Sequence, residues 1–108
     1  MSYRNWTREE AANNMLRVYE NRTVNVEAAE DLTYEFLARK FASISVSGKQ
    51  RYCDNGALMV WEDSEGNLAF IDYITEQIGV LYAGFTYVAS FYATQGNLNP
   101  NRKQECAV

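Results

Sequence analysis

The sequence contains no histidine, one proline and two cysteines. Without histidine the chain lacks the usual general base at neutral pH and the commonest metal ligand, so histidine-based triads and zinc centres are excluded. Cys53 and Cys106 are too few for a disulfide scaffold, which in a short chain carries four or more cysteines, and the expectation is free thiols in a reducing cytoplasm. There is also no Gly-rich phosphate loop, no G-x-S-x-G elbow and no cysteine pair at metal spacing. Accordingly, no metal, no cofactor and no enzymatic activity are expected. Met1 to Glu10 has no apolar core of the kind a secretory signal needs, and Cys106-Ala107-Val108 lacks the fourth residue of a prenylation box.

What is present is an ordinary globular composition. At 108 residues, with 47% apolar and 22% charged side chains, the chain is neither disordered nor fibrous and has the size of one domain. The expected domain spans residues 1–98, with a polar tail over 99–108.

Residues 7–21 read as a first helix. Thr7 with Glu10 makes a capping box, and Ala11, Met15 and Val18 recur at helical spacing as one narrow apolar stripe. A second helix is expected over residues 26–41 with Asn25 as its cap, because Ala28, Leu32, Phe36, Leu37 and Phe41 share one face. Glu27, Glu30, Asp31 and Glu35, with Tyr34 among them, form an acidic stripe on this helix. Carboxylates in the first turns suit the helix dipole; the functional alternative is a docking face for a basic partner.

The period then changes to two. Ser43 to Ser47 alternates, Arg51 to Cys53 follows a Gly48-Lys49 turn, and two apolar strands, 57–62 and 68–74, flank the turn formers Asp63 to Asn67. These readings predict a three-stranded antiparallel meander. From Gln77 to Asn101 twenty-five consecutive residues carry no charge. Ile74, Ile78, Leu81, Tyr82, Phe85, Val88, Ala89 and Tyr92 gather within roughly 120° of a helical wheel, which predicts a long helix over 75–95. The competing reading is a hairpin, since Phe85 to Thr94 is rich in β-branched and aromatic residues and two glycines interrupt the helix. The apolar centre is shorter than the roughly 20 residues of a membrane span. With the helix preferred, the fold class is α+β: two N-terminal helices, the meander, and a long C-terminal helix packed on it. Val80, Tyr87 and Phe91 then project from the outer flank of that helix as a self-association patch, and a homodimer is expected.

Net charge is -4, yet residues 57–76 alone hold five acidic and no basic side chains. A nucleic-acid binder shows the reverse, a basic stripe with aromatic residues, so direct nucleic-acid binding is not expected. Glu62, Asp63, Glu65 and Asp72, beside Trp61 and Tyr73, instead fit a basic protein surface. In size, acidity and absence of motifs the chain resembles the small inhibitors that phages make against host nucleases and defence systems. That resemblance implies a viral protein that antagonises a larger host enzyme or a nucleic-acid-acting complex. The alternatives are a small-ligand-binding domain with an aromatic pocket and a self-associating assembly subunit.

Overall fold

A computed structural model describes residues 5–28, 31–54 and 56–90, with 31–33 described as backbone alone. The elements are α1 (Arg8–Glu20), β1 (Arg22–Asn25), a short 3-10 turn (Val26–Ala28), α2 (Asp31–Ser47), β2 (Lys49–Asp54), β3 (Leu58–Glu62), β4 (Leu68–Asp72), β5 (Gln77–Tyr82) and β6 (Phe85–Ser90). All six strands form one sheet in the order β1-β6-β5-β4-β3-β2. Strands β2 to β6 are a consecutive antiparallel meander, and β1 extends it at one edge by pairing parallel to β6.

The two helices cover opposite faces. Successive strand residues point to opposite sides of a sheet, and here they divide into two cores. Leu37, Phe41 and Ile44 of α2 pack with Ala69, Ile71, Ile78, Val80 and Ala89. Met15 and Val18 of α1 pack with Val60, Leu68, Phe70 and Val88. α2 also carries the chain from β1 at one edge of the sheet to β2 at the other.

α1 forms as its sequence predicts. The Thr7 hydroxyl accepts from the Glu10 N–H at 3.1 Å and the Glu10 carboxylate accepts from the Thr7 N–H at 2.8 Å, so two orphan donors are satisfied reciprocally. Ala11, Met15 and Val18 are the buried stripe.

The architecture of three strands and a long C-terminal helix is overturned. Residues 77–90 are the hairpin β5–β6, with Ala83 and Gly84 at φ 52° and 83° supplying the tight turn. Two positive φ values in succession match the twist of a two-residue hairpin. The wheel match over this stretch has a different cause: strands buried on both faces read as nearly continuous apolar sequence and fit either period. Gly79 decides between the two in space. A Cβ at Gly79 would overlap the Tyr87 carbonyl across the hairpin and stand 2.7 Å from the Phe70 ring.

Two further boundaries move. Ser43 to Ser47, expected as a strand, is the last part of α2. Ile44 continues the Leu37 and Phe41 stripe into the core, while the Ser45 and Ser47 hydroxyls donate to the Ala42 and Ser43 carbonyls. Such bonds let serine sit in a helix, and the small-polar alternation therefore mimics a strand. At the other end, α2 starts at Asp31 instead of Val26. Residues 22–25 before it form β1, and the Asn25 side chain accepts from the Glu27 N–H at 2.9 Å to start the 3-10 turn.

Cys53 carries a disulfide bond, not the expected free thiol. Cys106 and the expected 99–108 tail lie outside the described residues. A disulfide at Cys53 removes the support that a free thiol there would give to a reducing compartment. Among the described residues, no helix is long and apolar enough to cross a membrane.

Candidate functional site

The acidic hairpin does not form one patch. The turn that holds Asp63 and Glu65 lies at one end of β4 and Asp72 at the other. Most of its carboxylates are also engaged internally. Glu62 pairs with Arg51, both half-buried. Asp63 accepts from the Glu65 N–H, the Asn67 N–H and the Asn67 side-chain amide at 2.9–3.0 Å, closing its own turn. Asp72 is buried and accepts from the Ile74 and Thr75 N–H groups and from the Tyr19 hydroxyl. Glu65 alone of this set stands exposed at the tip of its turn.

The aromatic members pack against the core on the α2 side. Trp61 packs edge-on against Phe41 of α2 at 5.5 Å, and the Tyr73 hydroxyl reaches the Met59 sulfur at 3.9 Å. Both are half-buried on the α2 side of the sheet, as is Tyr34. On the acidic stripe, the Glu27 carboxylate accepts from the Ser90 N–H at the end of β6, and Glu35 pairs with Arg39 one turn on. The Asp31 side chain lies outside the described residues. Of the expected self-association patch, Val80 is fully buried in the core and Phe91 lies outside the described residues. The helical flank that was to present them is absent because the segment is a hairpin.

Tyr87, the third member of that patch, belongs to a different assembly. At the β5–β6 turn, Tyr82 and Phe85 are partners across the hairpin, and Tyr87 follows Phe85 on the same face. Phe36 of α2 lies against this face, edge-on to Tyr87 at 5.1 Å and to Tyr82 at 6.0 Å, while Phe85 is tilted against Tyr87 at 6.1 Å. These separations lie in the range where ring quadrupoles favour edge contacts.

A cation flanks each side of the cluster. The Lys40 ammonium stands 4.1 Å from the centre of the Tyr82 ring and 5.6 Å from that of Phe36, which precedes it by one helical turn. On the other side the Arg22 guanidinium lies 5.9 Å over Phe85, its register partner across β1 and β6. Neither cation forms an ion pair among the described residues. All four rings and Lys40 are half-buried, and Arg22 is exposed. The arrangement offers apolar contact area beside two positive charges that form no ion pair among the described residues.

A cleft lies on the opposite face. Arg17, Glu20 and Asn21 at the end of α1, with Leu81 of β5, line an open cleft of about 390 Å³. Among the described residues, no three carboxylates or cysteines converge as a metal site.

Sequence reasoning missed Arg22, Phe36, Lys40, Tyr82 and Phe85 as a group. The spacing of Phe36 and Lys40 on one helix face is readable, but a cation there equally suits the negative end of the helix dipole. Arg22 and Phe85 are joined only by a parallel strand pairing, which no local pattern announces. Comparison with protein-family models, with curated proteins and with solved structures finds no match to this chain.

Proposed function

We propose that this domain acts by binding another protein, without catalysing a reaction. The observation that carries the reading is the cluster of Phe36, Tyr82, Phe85 and Tyr87 between Lys40 and Arg22. Aromatic and arginine side chains are the groups that dominate protein interfaces, because they bring large contact area at low entropic cost. The basic partner inferred from the acidic hairpin has weaker support, since Glu62, Asp63 and Asp72 are already held in internal bonds. In its most specific form, the proposal is an inhibitor or antagonist of a larger enzyme or nucleic-acid-acting complex. Size, acidity and the aromatic cluster are compatible with that form, and its support is the class resemblance.

A photoreactive phenylalanine analogue at position 85 of the full chain tests the reading, with the same analogue at position 65 as a comparison site. Irradiation in a cell lysate should yield a crosslinked protein of defined mass from position 85, competed by excess unmodified chain. Absence of a competed adduct from either position would remove the protein-binding reading.

The α1 cleft supports a second reading, a small-ligand site, because Arg17, Glu20 and Asn21 line it together with the apolar Leu81. A metabolite and nucleotide panel that left the melting temperature unchanged would set it aside, since ligand binding to the folded state alone raises stability by mass action.

A further inference from the structure

We infer that the ring cluster bracketed by Lys40 and Arg22 is a docking surface for a short acidic-apolar segment of a partner protein, with carboxylates at both ends of an apolar stretch. The inference rests on the protein-binding reading and adds the chemistry of the occupant. Charge complementarity chooses it. The domain carries net charge -4, yet at this site two cations face aromatic rings with no carboxylate partner among the described residues. A cation over a ring face keeps its charge available toward solvent, because the ring neutralises none of it.

Geometry sets the length of the segment. Arg22, Phe85 and Tyr82 lie on three adjacent strands, and Lys40 sits beside Tyr82 from the helix above. Neighbouring strands are about 4.8 Å apart, so the two cations are on the order of 10–15 Å from one another, the reach of about three to four extended residues. A segment with two acidic groups separated by three apolar residues matches both charges and lays its apolar side chains over the ring edges.

Single-stranded nucleic acid fits less well on the same observations. Stacking platforms need open ring faces and a groove of cations that tracks every phosphate. Here Lys40 and Arg22 stand over one face of Tyr82 and of Phe85 respectively, and two cations do not make such a groove. The exposed Glu65 also lies at the same end of the sheet, where the β3–β4 and β5–β6 turns are side by side. A long polyanion would meet that charge, whereas a short segment avoids it.

The test uses the full chain and a fluorescent peptide, Asp-Asp-Leu-Trp-Leu-Asp-Asp, read by anisotropy. Its comparisons are Lys-Lys-Leu-Trp-Leu-Lys-Lys, an acidic peptide with serines for the apolar residues, and an oligothymidylate. The acidic-apolar peptide should bind about tenfold or more tightly than each comparison, and Lys40→Glu or Arg22→Glu should each weaken it about tenfold. Its affinity should fall with added salt, as charge pairing at a surface requires. Backbone amide shifts of the unmodified chain give an independent readout should a variant fail to fold: they should move at residues 22, 36, 40, 82 and 85. Equal binding of the lysine peptide, preference for the oligothymidylate, unchanged affinity in folded charge-reversed variants, or shifts confined to the α1 cleft would each overturn the inference. A position-85 crosslink to a protein together with no binding of acidic peptides would leave the protein-binding reading standing and remove the acidic segment.

Discussion

The Tyr19 hydroxyl donates to the Asp72 carboxylate at 3.0 Å and ties the last turn of α1 to the turn that follows β4. Asp72 also organises that turn through the Ile74 and Thr75 N–H groups, and the Tyr19 ring packs edge-on to Phe70 at 5.8 Å. One carboxylate thereby couples a helix to a strand connection fifty-three positions away.

This coupling has a pH signature. Burial first, with the Asp72 charge adding to it, pushes the Tyr19 phenol above its ordinary range. A group whose pKa is raised by folding stabilises the fold fully below its unfolded value, about 10 for tyrosine, and that contribution is lost as pH rises through the folded value. Tyr19→Phe should cost about 1 kcal/mol at pH 7 by loss of the hydrogen bond. Urea titrations at rising pH should show the advantage of the natural chain over this variant shrinking above about pH 10. An advantage that grew with pH would show that the phenol is not held protonated by the fold.

Gly79 and Gly84 interrupt the same charge-free stretch for different reasons, and alanine at each should show it. At Gly79 a methyl group would meet the Tyr87 backbone and the Phe70 ring inside the core. Overpacking against backbone costs roughly 1–3 kcal/mol, so Gly79→Ala should lie at or above the top of that range. At Gly84 nothing lies within 4 Å, but φ is +83°. Gly84→Ala should therefore cost about 1–2 kcal/mol through backbone conformation alone. Chemical denaturation gives both values, and a smaller loss at Gly79 than at Gly84 would contradict the close approach.

α1, its N-terminal capping box and its stripe were legible because these signals are local: Thr7 and Glu10 are three residues apart, and Ala11, Met15 and Val18 repeat at one period. The β3–β4 hairpin was legible for the same reason, since Asp63 and Asn67 close the turn within five residues. β5 and β6 were misread because two-sided burial removes the polar alternation that marks a strand. β1 left no trace at all. Four residues, Arg22 to Asn25, become a strand only because β6 arrives from sixty-three positions later. The candidate site inherits that difficulty: its rings come from α2, β5 and β6, and Arg22 joins them through the one parallel pairing.

Thr86 illustrates how α1 is held on the sheet. Its side chain is fully buried, and its hydroxyl donates to the Val18 carbonyl at 2.8 Å. That carbonyl also accepts the N–H of the C-cap Asn21 at 3.3 Å, so Thr86 adds a second and shorter bond to the last turn of the helix. Thr86→Val keeps the shape and removes the donor. It should destabilise by about 1–2 kcal/mol, and faster amide exchange should appear at the C-terminal turn of α1. Thr7→Ala, which removes the N-terminal cap, should cost about 1 kcal/mol and loosen the opposite end.

Asp63 and Glu65, adjacent members of one acidic turn, should behave oppositely when altered. Asp63 accepts three hydrogen bonds that close the turn, whereas the Glu65 carboxylate is exposed at its tip. Asp63→Ala should lower stability by about 1–2 kcal/mol, because it frees two backbone donors and an amide that the turn had satisfied. Glu65→Lys should change stability by no more than about 0.5 kcal/mol, as surface substitutions away from such contacts do. Association separates them further. An acidic segment docking at Lys40 and Arg22 should bind the Glu65→Lys chain faster, because a negative charge at the same end of the sheet is replaced by a positive one. A basic partner would bind that chain more slowly. Stopped-flow association rates at low salt, compared between Glu65→Lys and the natural chain, therefore give the sign of the partner's charge.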